Sequence, residues 1–471
     1  MSQITIRQAA GQLNLANSDL LWEVTSVSSS APQFQYVCAL QDKSGTVLTT
    51  VKQQPNLSGK GVFNLGRIVT QYLDVDYEVL PAILGLTSAS FNKQTETADV
   101  FKVAFGEEFG TSTTSSVTSF SGIGNATGAA AFTGSIPFYY WINGTLNPNS
   151  GDWNWATSSY YFPETASQAV TYSHSVALTE APRTQYVRIG DCLNVGLING
   201  SLVGSSLVAQ DIFCAEVKVY DGSTVLATNF AYNVASTTQF YQGGPRVSQS
   251  QLWSTVDPNI LGSVTTNKST PFNFLVYGEI GPRELTDQGI YNFDSSPWTS
   301  YTVRFLGQNN VGNPNTNGVW DSFTFYKQDP NCGYNGVRFA WINEFGVWDW
   351  FNFTLQEDKS TSLDSGLYKR NFVDYSTTTN AVTYDKKRRG TDSYYVNITE
   401  NFQVNSDWLT QEQADWLETL FYSPNVYIQD GINFLPIIIT NTEFVSKTNP
   451  RTQKNFQYIV NYTLANNKRS R

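Results

Sequence analysis

Apolar and polar residues alternate with a period of two along much of this chain. The closing segment "KNFQYIVNYTLANN" (454–467) is the clearest case. Phe456, Tyr458, Val460, Tyr462 and Leu464 share one parity, while Gln457, Asn461 and Thr463 take the other, the pattern of a strand with one buried face. "FQYVCALQDKSGTVLTTV" (34–51) reads as two short strands about a D-K-S-G turn, and "DSYYVNITENFQV" (392–404) as another strand. "VYIQDGINFLPIII" (426–439) reads as a hairpin about Asp430-Gly431, since Asp-Gly suits tight turns that need positive φ.

Two stretches follow a helical period instead. In "LGRIVTQYL" (65–73), Leu65, Ile68, Val69, Tyr72 and Leu73 fall on one helical face behind Asn64, a good N-cap, so a short helix packed on a sheet is expected. "LTQEQADWLETLFYSP" (409–424) is the strongest helix. Thr410 and Gln413 form a capping box, Leu409, Trp416, Leu417, Leu420 and Phe421 make the apolar face, and Pro424 stops it, giving a helix over 410–422.

The chain echoes itself in order. "CALQDKSGTVLTT" (38–50) matches "CAEVKVYDGSTVLAT" (214–228), "FGEEFG" (105–110) matches "YGEIG" (277–281), and "YYWIN" (139–143) matches "FAWIN" (339–343). Trp153/Trp155 likewise match Trp348/Trp350. Collinear matches of this kind point to an internal duplication. The expected fold is mainly β: tandem β-sandwich-like domains with a few short helices, then a C-terminal β-rich domain carrying one amphipathic helix. The expected divisions are an N-terminal arm over 1–20, β-rich domain A over 21–178, β-rich domain B over 179–375, and the C-terminal domain over 376–471.

Composition agrees with that class. Aromatic and charged residues each make up 14% of the chain, the latter well below the usual share of about a quarter. Aromatic richness also separates the sequence from disordered chains. The formal net charge of −10 argues against general nucleic-acid binding, which is driven by cationic contacts to phosphate. No basic stretch followed by an apolar run opens the sequence, and the longest apolar runs, such as "FLPIII" (434–439), are too short to span a bilayer; neither a secretory signal nor membrane insertion is expected. Cys38, Cys192, Cys214 and Cys332 are widely spaced, without a C-x-x-C, and read as small buried hydrophobes.

Candidate chemistry is sparse. His174 is the only histidine, with no nucleophile motif around it, and the His/Cys content does not suit a zinc site, so no cofactor or metal is expected. Carboxylates near aromatics raise the possibility of glycan hydrolysis by Glu344 with Asp349, and Asp152 precedes Trp153 in the matching motif. Glu107 and Glu108 are a poor pair, because adjacent strand residues face opposite ways. Tyr139, Tyr140, Trp153 and Trp155 are candidates for glycan stacking.

The aromatic-dense "FAWINEFGVWDWFNF" (339–353) reads as a hairpin about "NEFG". Phe351 and Phe353 face away from Trp350, so its second strand is apolar on both sides. It therefore lies between two layers or against a neighbouring subunit; a ligand platform and a cleft are the remaining readings. Two dense basic runs, "DKKRRG" (385–390) and the terminal "NKRSR", suit solvated loops or clamps onto an acidic neighbouring chain.

The set "GVFNLGRIVTQYL", "CGYNGVRFAWINEFGVWDWFNF", "LTQEQADWLETLFYSPNVYIQDGINFLPIIIT" and "YIVNYTLANNKRSR" resembles virion structural proteins of tailed phages, including marine and crAss-like phages, best over 20–80 and 320–471. The resemblance implies a tail, baseplate or collar component, not an enzyme, assembled in symmetric copies in the host cytoplasm and located in the virion. Its partners would be copies of itself and neighbouring virion proteins, with a host surface glycan as a further candidate. Trp341, Trp348, Trp350, Arg388 and Arg389 are the candidate interface residues. The alternative function is a carbohydrate- or receptor-binding protein at the tail tip, and glycan hydrolysis is a third.

Overall fold

The computed structural model describes residues 4–8, 13–42, 45–75, 77, 91–93, 96–110, 119–121, 138–145, 153–154, 159–160, 177–198, 212, 214–232, 275–308, 314–328, 336–371, 373–384, 387, 390–431, 433–441 and 457–466. The fold is mainly β, with several sheets and three α-helices among these residues. Two compact units are present. The first comprises Met1–Gln328 with Ile342–Asp349, the second Asp329–Trp341 with Trp350–Arg471.

The first unit contains one arrangement of strands twice. In the first copy the strands lie side by side in the order Leu13–Leu15, Phe138–Ile142, Ala98–Phe109, Gln35–Gln41 and Val47–Gln53, with Ser119–Ser121 adding to Ala98–Phe109. In the second the order is Thr184–Val187, Pro314–Lys327, Ser300–Gln308, Cys214–Asp221 and Thr224–Tyr232. In both, the first pair is parallel and the others antiparallel. Each sheet is accompanied by a smaller one. There the strand after the parallel edge strand pairs with the strand after the hairpin: Leu21–Ser26 with Lys60–Asn64, and Asn194–Ile198 with Leu275–Glu279. Each of these later strands leads into a short helix, Gly66–Val69 or Pro282–Asp287.

The hairpins of Cys38 and Cys214 are thus equivalent: Cys38 pairs with Val51 and Phe105, Cys214 with Tyr232 and Leu306. The other short sequence matches do not fall on equivalent strands. "FGEEFG" lies in a large sheet and "YGEIG" in a small one, while Trp141 and Trp341 lie in different units.

The first copy is a two-layer sandwich. Trp22, Val24 and Phe63 from the small sheet share one buried cluster with Tyr36, Cys38, Leu40, Phe101, Phe105 and Trp141 from the large one. Trp22 meets Trp141 edge-on at 6.0 Å, and Phe101 stacks on Trp141 at 5.2 Å. The Tyr36 hydroxyl ties the layers further, donating to the Gly59 carbonyl at 2.6 Å and accepting from the Ser26 amide at 3.0 Å. Strand Gln35–Gln41 is buried on both faces, with Val37 and Ala39 packing on Ala104 on the far side. Cys38, Cys192 and Cys214 are buried, and burial pushes the Cys38 and Cys214 thiols well above their ordinary range. Cys332 lies outside the described residues.

The short helix expected after Asn64 forms over Gly66–Val69 and continues as a 3-10 turn, Thr70–Tyr72. Asn64 acts one residue earlier than an N-cap: its Oδ1 accepts from the Leu20 and Gly66 amides.

The second unit is built on a seven-stranded sheet. Its order is Trp348–Phe353, Val337–Ile342, Val426–Asp430, Asn433–Ile439, Ile459–Leu464, Thr391–Asn405 and Glu357–Lys369. The helix Gln411–Tyr422 has the Thr410/Gln413 capping box and buries Ala414, Trp416, Leu417 and Leu420. Trp416 packs on Trp341 at 5.2 Å and on Phe351 at 5.9 Å. On the opposite face of the sheet, Trp350 meets Phe434 at 5.6 Å beneath the Arg338 guanidinium. Among the described residues no helix is long and apolar enough to cross a membrane.

Trp141 is fully buried between the two layers of the first copy. Trp141→Ala is expected to destabilise the first unit by about 3–5 kcal/mol through lost burial and the cavity left behind. Denaturant titration followed by tryptophan fluorescence would measure it.

Candidate functional site

The most unusual feature among the described residues is a two-stranded ribbon. Glu357–Lys369 pairs antiparallel with Thr391–Asn405 along its whole 13-residue length, a span of about 40 Å. Asn401–Asn405 also pairs with the strand containing Tyr462, which anchors that end in the seven-stranded sheet. From Glu400 outward, the only strand pairing recorded for either strand among the described residues is with the other. The far end carries a small hairpin, Val373–Ser376 with Ala381–Tyr384.

Register sorts the ribbon into two sides. On one lie Glu357, Lys359, Thr361, Leu363, Ser365 and Leu367 of the first strand and Val396, Ile398, Glu400, Phe402 and Val404 of the second, with Lys359 paired to Glu400 at 2.9 Å. On the other lie Asp358, Ser360, Ser362 and Asp364 opposite Gln403, Asn401, Thr399 and Asn397. The polar side is internally satisfied in part: Asn401 Nδ2 donates to Ser362 Oγ at 3.0 Å, and the Tyr395 hydroxyl bonds to Asp364, whose charge raises its pKa. The mixed side starts in the core, where Val404 is buried and Phe402 stacks on Tyr462 at 5.0 Å. Farther out it is bare: Leu363 is 69% exposed and Leu367 64%. Gly366 sits at a register shift, where an added Cβ would come within 2.4 Å of the Tyr395 ring and 2.6 Å of the Tyr394 ring. Its lack of a side chain lets both rings lie across the strand.

A second candidate is the turn Asn343–Val347 in the first unit. Asn343 organises it: Oδ1 accepts from the Phe345 and Val347 amides, and Nδ2 donates to the Leu178 carbonyl at 2.9 Å. Gly346 has φ of +80°, and a Cβ there would lie 2.1 Å from the Asn143 carbonyl oxygen. The turn is thereby held against the segment after Ala177. Thr179 Oγ1 donates to Asp349 Oδ1 at 2.6 Å, and Glu180 shares a hydrogen bond with Glu344. Burial, then the neighbouring Glu180, then Asp349, push the Glu344 carboxyl up to about 7.

Asp349 is 4% exposed and bonded to Thr179, and Glu344 is hydrogen-bonded to Glu180. Glu107 and Glu108 do part to opposite sides: Glu107 accepts from Ser26 in the core, and Glu108 pairs with Lys52 at 2.6 Å.

Trp341, Trp348 and Trp350, read from the sequence as interface anchors, are 0%, 1% and 3% exposed. They are core residues, because both faces of their hairpin are covered by the chain itself. Arg388, Arg389, Trp155, Asp152 and His174 lie outside the described residues. Tyr139, Tyr140 and Trp153 lie on the strands Phe138–Ile142 and Trp153–Asn154, but their side chains are outside the described set.

Sequence reasoning missed the ribbon's first strand and Glu180. The strand "EDKSTSLDSGLYK" offers only Leu363 and Leu367 at period two, a weak signal. Among the described residues no group of three or more His, Cys, Asp or Glu is placed to hold a metal ion. No protein-family model and no curated protein matches the chain.

The raised Glu344 carboxyl gives a pH prediction. The folded state keeps this proton up to about pH 7, whereas the unfolded chain releases it near 4.5. Its contribution to stability is complete below 4.5, is lost as pH rises through 7, and is level above that. The loss is expected to be about 1–2 kcal/mol after allowance for partial exposure. Glu344→Gln should flatten stability over pH 4.5–7 relative to the parent, as read by denaturant midpoints across that range.

Proposed function

We propose that this chain is a structural component of a tailed-phage virion, a tail, baseplate or collar subunit assembled in multiple symmetric copies. The observation that carries this reading is the ribbon. An isolated two-stranded hairpin is at best marginally stable in water, and long unpaired strand edges promote association. This one extends from the sheet with Leu363 and Leu367 bare. Such a feature fits a subunit whose arm is completed by other chains. Large interfaces of this kind bury about 2,000 Å² or more when obligate. The sequence resemblance to virion structural proteins points the same way.

A second reading, carbohydrate or receptor binding at the tail tip, draws on a different observation. Tyr186 and Tyr326 are 54% and 44% exposed, on paired strands, with ring centroids 5.9 Å apart. Neighbouring exposed tyrosines of this kind suit stacking on a sugar.

Electron microscopy of the purified protein tests the first reading. Closed rings or symmetric clusters are expected. A monodisperse monomer at every concentration counts against assembly through copies of itself. For the second reading, a glycan screen should give a ligand whose binding falls at least tenfold in Tyr186→Ala/Tyr326→Ala; no binding by the parent protein would discard it.

A further inference from the structure

We infer that the outer face of the sheet Thr184–Val187, Pro314–Lys327, Ser300–Gln308, Cys214–Asp221 and Thr224–Tyr232 binds a linear, neutral glycan lying across the strands, with one sugar unit over each of the first four. The inference rests on the carbohydrate-binding reading of Tyr186 and Tyr326 and adds the extent of the site, its direction and the class of glycan.

The register defines the whole face. Its first row across the sheet is Tyr186, Tyr326, Ser300, Tyr220 and Val225. The second row is Thr184, Thr324, Thr302, Lys218 and Thr228. The third is Ser322, Arg304, Glu216 and Phe230. Beyond it the face closes over buried Cys214 and Leu306. The alternate residues Val187, Phe325, Tyr301 and Val219 are buried on the inner face. There Tyr301 stacks on Phe325 at 4.9 Å, and its hydroxyl donates to the Ile280 carbonyl at 3.0 Å. The tyrosines of the first row thus belong to the opposite side of the sheet from the core.

The two copies of this sheet treat the same face in opposite ways. In the first copy Val37, Ala39 and Ala104 occupy it, small, apolar and buried. In the second the central rows hold Thr, Ser, Tyr and one ion-paired group, and Tyr186, Tyr326, Thr184, Thr228 and Ser322 are exposed. Among the described residues, none of the hydroxyls of Tyr186, Tyr326, Thr184, Thr324 and Thr302 is bonded to another group of the protein. Threonine and serine alone would make a solvated face. The line of tyrosines is the addition that calls for a ligand with flat apolar surface.

Spacing selects that ligand. Neighbouring strands lie about 4.8 Å apart, close to the rise of one unit in an extended sugar chain. Tyr186 and Tyr326 stand on adjacent strands with ring centroids 5.9 Å apart, and Tyr220 stands two strands farther on. The line from Tyr186 to Tyr220 spans three strand intervals, about 14 Å, which is the reach of four sugar units. Rings so placed meet the CH faces of successive pyranoses. The threonine row runs parallel to the rings, about 7 Å along the strands, where the hydroxyl edge of the same chain falls. Equatorial linkages, as in β-1,4-linked glucose or N-acetylglucosamine, present a flat CH face and a hydroxyl edge at every unit. Charge selects a neutral chain. Glu216 is bonded to Arg304 and lies 3.4 Å from Lys218, so the three charged groups of these rows satisfy one another and leave hydroxyls as the contacts on offer.

The test is isothermal titration calorimetry of the full-length protein with cello- and chito-oligosaccharides from the disaccharide to the hexasaccharide. The parent is compared with Tyr186→Ala/Tyr326→Ala and with Tyr220→Ala, each checked for unchanged circular dichroism and melting temperature. In one of the two series affinity is expected to rise up to the tetrasaccharide and then level. Tyr186→Ala/Tyr326→Ala should lose at least tenfold at every length. Tyr220→Ala should lose at least tenfold on the tetrasaccharide and match the parent on the disaccharide.

Equal affinity for disaccharide and tetrasaccharide, or a Tyr220→Ala protein that matches the parent on both, overturns the extended site and leaves the reading at Tyr186 and Tyr326 standing. Binding of some other glycan but of neither series does the same. If no glycan binds at all, both fall. If neither series binds and Tyr186→Ala/Tyr326→Ala instead dissociates an oligomer in light scattering, the face is a contact between copies and the inference is overturned. Should Tyr220→Ala lose its fold, hydrogen exchange of the parent decides. The tetrasaccharide is expected to protect residues 218–221 along with 184–187 and 324–327, and protection confined to the latter two stretches overturns the inference.

Discussion

Burial of large aromatic side chains between β layers is the constraint on which this structure depends. With few charged residues and many rings, the chain gains most from placing flat hydrophobic area between sheets. Trp22, Trp141 and Tyr36 do this in the first sandwich, and Phe339, Trp341, Phe353 and Trp416 in the second unit. Rings in T-shaped and offset contacts add to simple area burial. Polar tips are served locally: the Tyr36 hydroxyl finds Gly59 and Ser26, and the Trp341 indole donates to Thr419 at 2.9 Å.

Against such a core, the ribbon is the exception. Its outer half keeps the alternation of a half-buried sheet without a second layer. Ordering it in a lone chain costs backbone entropy that little burial returns. In the proposed multi-copy assembly another chain would cover it, which is why the ribbon, rather than the aromatic hairpin, carries that proposal. Of the two leading readings of the hairpin, between layers or against a neighbouring subunit, the structure shows cover from within the chain for each of its tryptophans.

The turn at Asn343 shows a different use of polarity inside the fold. One asparagine side chain closes the turn and reaches the Leu178 carbonyl, and a glycine with positive φ allows close approach to Asn143. The cost is a carboxylate, Glu344, pressed against Glu180. Retaining a proton is the cheapest way to hold two such groups together.

Local order was legible from the residues alone. The capping box of Thr410 and Gln413, the Asp-Gly turn at Asp430, and the two-sided apolar strand of Trp350 and Phe353 were each readable, because caps, turns and periodicity are decided within a few residues. The equivalence of the Cys38 and Cys214 hairpins was legible too, while the matches around Trp141 and Trp341 were similarity without equivalent position. Long-range pairing was not legible. Glu357–Lys369 is a strand because Thr391–Asn405 lies beside it, not because of its own apolar residues, and Glu344 meets Glu180 only after the chain has folded back. Whether an aromatic is core or contact depends on what covers it. The sequence determined which faces are apolar; the tertiary structure alone decided which of them find a partner within the chain, since coverage is a property of distant segments brought together.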